Sequence, residues 1–266
     1  MYSIAEGGLL TYVFRNGGAT ETSVFWVTMA FLVATVVFSY LFGSINSAII
    51  ISKLLYHDDI RKHGSGNAGM TNMLRTYGTG AAGLTLVGDM LKSALAIIVA
   101  AVFFGFNYAP GAICLQDFCY VAGLCAVIGH IYPIYYGFKG GKGVLSTATV
   151  ALILTPLPFL FLFVIFVIIV AISKYVSLGS VTVAMLYPVV FNGFCIVFYG
   201  RTDTGKTLTP AVGVLCIIII AIIIVFKHLG NLQRISDRTE RKISFKRKPT
   251  PEPIEEKTVS ENDDEE

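Results

Sequence analysis

The 266-residue chain is 55% hydrophobic and 14% charged, with a mean hydropathy of +0.71 and a net charge of +3. Soluble domains carry about 25% charged residues, so this composition excludes an ordinary soluble domain and predicts an all-α integral membrane protein. The small net charge hides an asymmetry: residues 226–248 hold eight Lys/Arg and two acids, whereas residues 249–266 hold eight acids and one lysine. A basic run beside a span meets anionic lipid, so membrane lipid is the expected partner and nucleic acid is not. The acidic end, 243–266, reads as a disordered tail.

Residues 1–23 lack the basic n-region and compact apolar core of a signal peptide and read as an N-terminal extension. Apolar stretches long enough to be spans follow at 24–55, 80–104 and 113–136. The first is long enough to bend near Gly43 and Ser44. The stretch 144–172 is interrupted by Thr155-Pro156-Leu157-Pro158, and paired prolines predict two short spans there. Candidates at 176–199 and 208–228 bring the count to seven transmembrane helices. With the N-terminus outside and the C-terminus cytoplasmic, Arg61, Lys62, Arg75, Lys139, Lys142 and Lys174 fall inside. The outer loops then hold little beyond Arg201 and Lys206. The five cysteines show neither CxxC nor zinc spacing, and most read as packing residues.

The polar segments carry the chemistry. The first inner loop contains Ser65, Gly66, Asn67, Gly69, Thr71, Asn72 and Arg75. Its glycines and small polar groups either wrap phosphate oxygens or simply make a turn. Asp89 and Lys92, three apart within a span, share a helical face and read as a buried pair. His130, before Pro133, is either an acid/base or donor group or a capped residue at a bend.

The segment Gly137-Phe138-Lys139-Gly140-Gly141-Lys142-Gly143 offers glycine N–H groups and lysine charge just before a helix start. It is either a phosphate cradle or a basic anchor. Ser177 and Ser180 begin another helix and read as caps or ligands. His228, Asn231 and Arg234 form a stripe on one face, lining either a pocket or solvent. A literal GxxxxGKT at 200–207 lies between apolar spans rather than between a strand and a helix, so it reads as a chance match to a nucleotide loop. No GxSxG is present.

In order from Gly43 to Lys242, these residues resemble the bacterial acyl-phosphate:glycerol-3-phosphate acyltransferases, a small seven-span family. The resemblance rests on Gly43-Ser44-Ile45, the Ser65–Arg75 residues above, Asp89 with Lys92, Gly129-His130 with Pro133, and Phe138 to Val144. It continues through Tyr175 to Ser180 and through Lys227, His228, Asn231, Arg234 and Glu240. Asn46, Ser93 and Arg238 depart from the family pattern, which has proline, glycine and glycine there.

The resemblance implies a domain at 24–242 that transfers an acyl group from acyl-phosphate to the sn-1 hydroxyl of glycerol 3-phosphate, without cofactor or metal. It implies that the 65–72 loop, with His130, Gly140, Gly141 and Gly143, binds substrate. Arg75, Lys142, Ser177, His228, Asn231 and Glu240 would then orient the acceptor and carry the reaction. It also implies an inner-membrane location, a cytoplasmic site, and an enzyme supplying acyl-phosphate as a further partner. The alternative from the residues themselves is an organophosphate or anion transporter, which the absence of an internal repeat disfavours.

Overall fold

The computed structural model describes residues 8–10, 12, 20–104, 115–198 and 211–243. The nucleotide-loop match, Cys114 and most of both predicted terminal segments lie outside them. The described chain is helical throughout: α1 (Glu21–Ser44), α2 (Ser47–Tyr56), α3 (Met70–Tyr77), α4 (Thr79–Phe104), α5 (Leu115–Ile131), α6 (Val144–Leu154), α7 (Pro156–Ser173), α8 (Val176–Phe198) and α9 (Ala211–Ser236). Among the described residues, six segments are long and apolar enough to cross a membrane, with α1 and α2 forming one of them.

The predicted bend in the first span falls at Ile45 and Asn46. There Asn46 leaves helical geometry and its Oδ1 accepts the Ile49 N–H at 3.1 Å, starting α2. Asn46 Nδ2 also reaches the Ala68 carbonyl at 3.4 Å. Asn46 thus caps a helix and ties it to the first polar loop.

The fourth of the seven expected spans is shorter than a crossing. Helix α6 has 11 residues, about 16 Å at 1.5 Å per residue, against a hydrocarbon core of about 30 Å. Its end is set by Thr155 in non-helical geometry, followed by Pro156 at the first position of α7. Six of its residues are buried, against α4, α5 and α7.

Helix α5 sits centrally. It packs most extensively on α1, where Gly43 and Gly129 let the backbones touch; a Cβ on Gly129 would lie 2.8 Å from the Ser44 nitrogen. Small residues permit such approach where lipid supplies no hydrophobic drive between helices. Its other faces meet α4, α6 and α9, and the apolar core gathers around Tyr120, Ile217, Ile220 and Leu154. Helix α7 is the opposite case, with little of its surface buried.

Candidate active site

The polar segments converge on one cavity of about 1320 Å3. The 64–75 loop and α3 supply one wall, and Lys142 with Gly143 supply the next. Ser177 opens α8, and His228, Asn231 and Arg234 come from the last turns of α9. Beyond this polar mouth the lining turns apolar: Phe159, Phe163, Phe166 and Val170 of α7, Leu152 of α6 and Tyr187 of α8. A charged head and a hydrocarbon tail fit such a cavity together.

The first loop is held by its own side chains. Asn72 Oδ1 accepts the Ser65 N–H at 3.0 Å, while Asn72 Nδ2 donates to the carbonyls of Ile60 and His63 at 3.2 and 2.9 Å. Gly64 has φ +60°, and a Cβ there would collide with Asn72 Oδ1. Arg61 forks onto Asp59, with Nη2 to Oδ2 at 2.7 Å, and reaches the Tyr136 carbonyl at 3.0 Å, joining this loop to the next. The Arg61 hydrogen bond holds the Asp59 carboxyl down at about 2. Asn72, expected to bind substrate, spends these bonds on shaping the loop, although it also lines the cavity.

The glycine segment works differently from a backbone cradle. Gly140 and Gly141 donate their N–H groups to the carbonyls of Ile131 and His130 at 3.3 and 3.1 Å, so neither points at an anion. Neither lines the cavity, and Gly66 does not either; its N–H goes to the His63 carbonyl. What these glycines provide is close approach. A Cβ on Gly140 would lie 2.7 Å from Pro133 Cδ, and one on Gly141 would overlap the His130 ring. The segment's charge is delivered by Lys142, while Lys139 is absent from the cavity lining. Both α3 and α6 begin on a glycine without a side-chain cap, and their positive ends border the cavity.

At the mouth five residues form one network. Lys142 Nζ donates to Asn231 Oδ1. Asn231 Nδ2 donates to Ser177 Oγ at 3.0 Å and to Glu240 Oε1 at 2.7 Å, and Ser177 Oγ donates to the same Oε1 at 3.1 Å. Arg234 Nε binds Glu240 Oε2 at 2.8 Å. Burial alone would raise Glu240, but hydrogen bonds from Asn231, Arg234 and Ser177 hold it below the ordinary carboxylate range. Lys142 moves the other way. Burial brings it down to about 8; Arg234, Arg75 and Lys227 add to the fall, and Glu240 opposes it. His228 Nδ1 faces the Ile224 carbonyl at 2.8 Å. A carbonyl only accepts, so Nδ1 carries a proton, and in the neutral ring Nε2 keeps its lone pair.

The closing piece is a strap, 239–243, whose position in the site was not legible from residue spacing. Arg238 turns into it at φ +58°, a left-handed geometry that glycine, the residue the resemblance leads one to expect there, adopts at less cost. Thr239 and Glu240 N–H groups bond the Arg234 carbonyl at 2.8 and 3.0 Å. Arg75 Nη2 holds the Arg241 carbonyl at 3.2 Å, and the Ile243 N–H bonds the Lys174 carbonyl at 2.9 Å. Ile243, read from sequence as the start of the tail, therefore belongs to the wall of the cavity.

Comparison with known proteins gives concordant results. The sequence model of the family described as glycerol-3-phosphate acyltransferase matches residues 33–238. A glycerol-3-phosphate acyltransferase of Syntrophomonas wolfei is 40% identical over 213 residues, covering 80% of this chain and 97% of that protein. One from Halalkalibacterium halodurans is 38% identical over 220 residues, covering 81% and 97%. Among solved structures, the glycerol 3-phosphate form of the integral membrane glycerol 3-phosphate acyltransferase PlsY (YgiH) superposes with a TM-score of 0.66 at 30% identity. It covers 80% of this chain and 96% of that one. Its lysophosphatidic acid form gives 0.64 at 29%.

Proposed function

The chain belongs to the glycerol-3-phosphate acyltransferase family, and from that premise we propose that it moves a fatty acyl group from acyl phosphate to the sn-1 hydroxyl of glycerol 3-phosphate. That it is a multi-pass membrane acyltransferase follows from the family. The finer reading is supported above all by one observation: a single cavity joins a cationic mouth to an apolar cleft. The products are lysophosphatidate and inorganic phosphate, the first step of phospholipid synthesis. An enzyme that makes acyl phosphate is the partner this chemistry requires. The loops bearing the site carry the inward-type charge, which supports a cytoplasmic site in the inner membrane.

In this reading Lys142 and Arg75 hold the acceptor phosphate, with Ser177 and Asn231 aligned by Glu240. The 65–71 residues and the start of α3 hold the phosphate of the donor, and the acyl chain lies along α7. The acceptor oxygen bonds the acyl carbon, the acyl–oxygen bond to phosphate breaks, and its electron pair leaves with phosphate. The hydroxyl proton passes to the departing phosphate, with His228 Nε2 the ring nitrogen free to relay it. Because phosphate already leaves readily, positioning and charge stabilisation supply most of the acceleration.

Purified protein given palmitoyl phosphate and labelled glycerol 3-phosphate should form labelled lysophosphatidate. A yield no greater than that of a boiled control overturns the reading. A pH series refines it. Lys142 is charged below about 8, so the KM for glycerol 3-phosphate should climb as pH rises through that value. Lys142→Arg, which stays charged, should lack this alkaline limb; a limb that persists in the variant assigns it to another group.

A further inference from the structure

Behind the glycine segment lies a buried polar cluster that the transfer chemistry above does not use. Lys92, Asp89 and His130 are each at most 3% exposed. Lys92 Nζ stands 2.8 Å from Asp89 Oδ1, 2.7 Å from the Ile45 carbonyl at the break between α1 and α2, and 2.8 Å from His130 Nδ1. An ammonium group has three protons and no lone pair. Its three neighbours are a carboxylate, a carbonyl and an imidazole nitrogen, so that nitrogen must accept. A doubly protonated ring would set two cations against each other in a buried site. His130 is therefore neutral, with its proton on Nε2.

That nitrogen sits at a particular place. Gly141 abuts it, and the Ala68 carbonyl lies at the same point, 2.8 Å from where a Cβ on Gly141 would be. The two polar loops thus meet over His130, which also lines the cavity. Its backbone carbonyl takes the Gly141 N–H, so ring and main chain act on one segment.

We propose that Lys92, seated by Asp89 and the Ile45 carbonyl, locks His130 as an Nε2–H donor to a phosphate oxygen of the acyl donor, and so removes it as a base. As the acyl–oxygen bond breaks, the electron pair moves onto phosphate, and a neutral donor already aimed there stabilises the growing charge. The two cavity histidines then have opposite duties. His228 keeps a lone pair on Nε2, and His130 offers a proton bond from its own. Asp89 and Lys92 are positioning residues, acting through the ring. The inference rests on the acyl-phosphate reading, but its first test does not require turnover.

Full-length protein labelled with 15N-histidine is examined in detergent by two-bond proton–nitrogen correlation, with His130 assigned by its loss in His130→Gln. The expected pattern is a single Nε2–H tautomer whose Nε2 resonance shifts on adding palmitoyl phosphate. A proton on Nδ1, double protonation, or no shift at saturating ligand overturns the proposal. In Asp89→Asn/Lys92→Met, which keeps the cluster neutral, the second tautomer should appear; an unchanged spectrum denies Lys92 its positioning role. In turnover, His130→Ala should lose about a hundredfold in kcat with little change in the KM for glycerol 3-phosphate. His130→Gln, which retains an amide donor, should stay within about tenfold of wild type. Equal loss in both variants, or none in either, overturns the donor role. Absence of wild-type turnover with acyl phosphate would instead remove the acyltransferase reading and leave the tautomer result standing.

Discussion

Lys142→Ala is expected to lower kcat/KM for glycerol 3-phosphate by about 10²–10³-fold, the loss typical of one buried charge-assisted contact to a reacting anion. The lysine is the one cation that the 137–143 segment sends into the cavity, and Asn231 orients it. Its removal should spare the fold, because Glu240 retains Arg234, Ser177 and Asn231 as partners and no carboxylate is stranded. Labelled lysophosphatidate formation against acceptor concentration, with helical content as the control, checks both halves. Wild-type-like kinetics would reduce Lys142 to an interfacial anchor.

Gly141→Ala should be as damaging for a different reason. The added methyl group has no free direction: it overlaps the His130 ring on one side and lies 2.8 Å from the Ala68 carbonyl on the other. Relief requires parting the two loops or turning the histidine away from Lys92. Turnover should fall by about a hundredfold or more, on the scale of a lost preorganised donor. Gly137→Ala is the informative contrast. Gly137 has φ +64° but no heavy atom near its absent Cβ, so the change brings only about 1–2 kcal/mol of local strain and should cost less than tenfold. Equal effects of the two substitutions on initial rate would show that the seam between the two loops is not what requires glycine at 141.

How much could be read beforehand depended on the range of the interactions. Hydropathy placed the starts of the long helices within a few residues, although α9 runs on to Ser236, eight residues past its expected end, and the Thr155-Pro156 break came from proline chemistry that acts locally. The Asp89–Lys92 pair was legible because three residues along a helix is a fixed geometry, and the stripe of His228, Asn231 and Arg234 for the same reason. Three things were not legible. That α6 is only half a crossing depends on what packs around it, since its composition matches that of a full span. That Gly140 and Gly141 spend their N–H groups on the end of α5 depends on a return of the chain around Pro133. That Arg75 meets the Arg241 carbonyl joins positions 166 apart. No local pattern encodes such a meeting.

The strap at 239–243 also sets an order in time. Translation delivers it after every other part of the site, since α1 to α9 all precede it in the chain. Until then a nascent chain holds the apolar cleft, Lys142 and the first loop, but lacks the carboxylate that aligns Asn231 with Ser177. On the proposed role of Glu240, acyl transfer is expected only from a chain whose membrane portion is complete. A product of premature termination before Glu240 is expected to insert, occupy bilayer and form no lysophosphatidate.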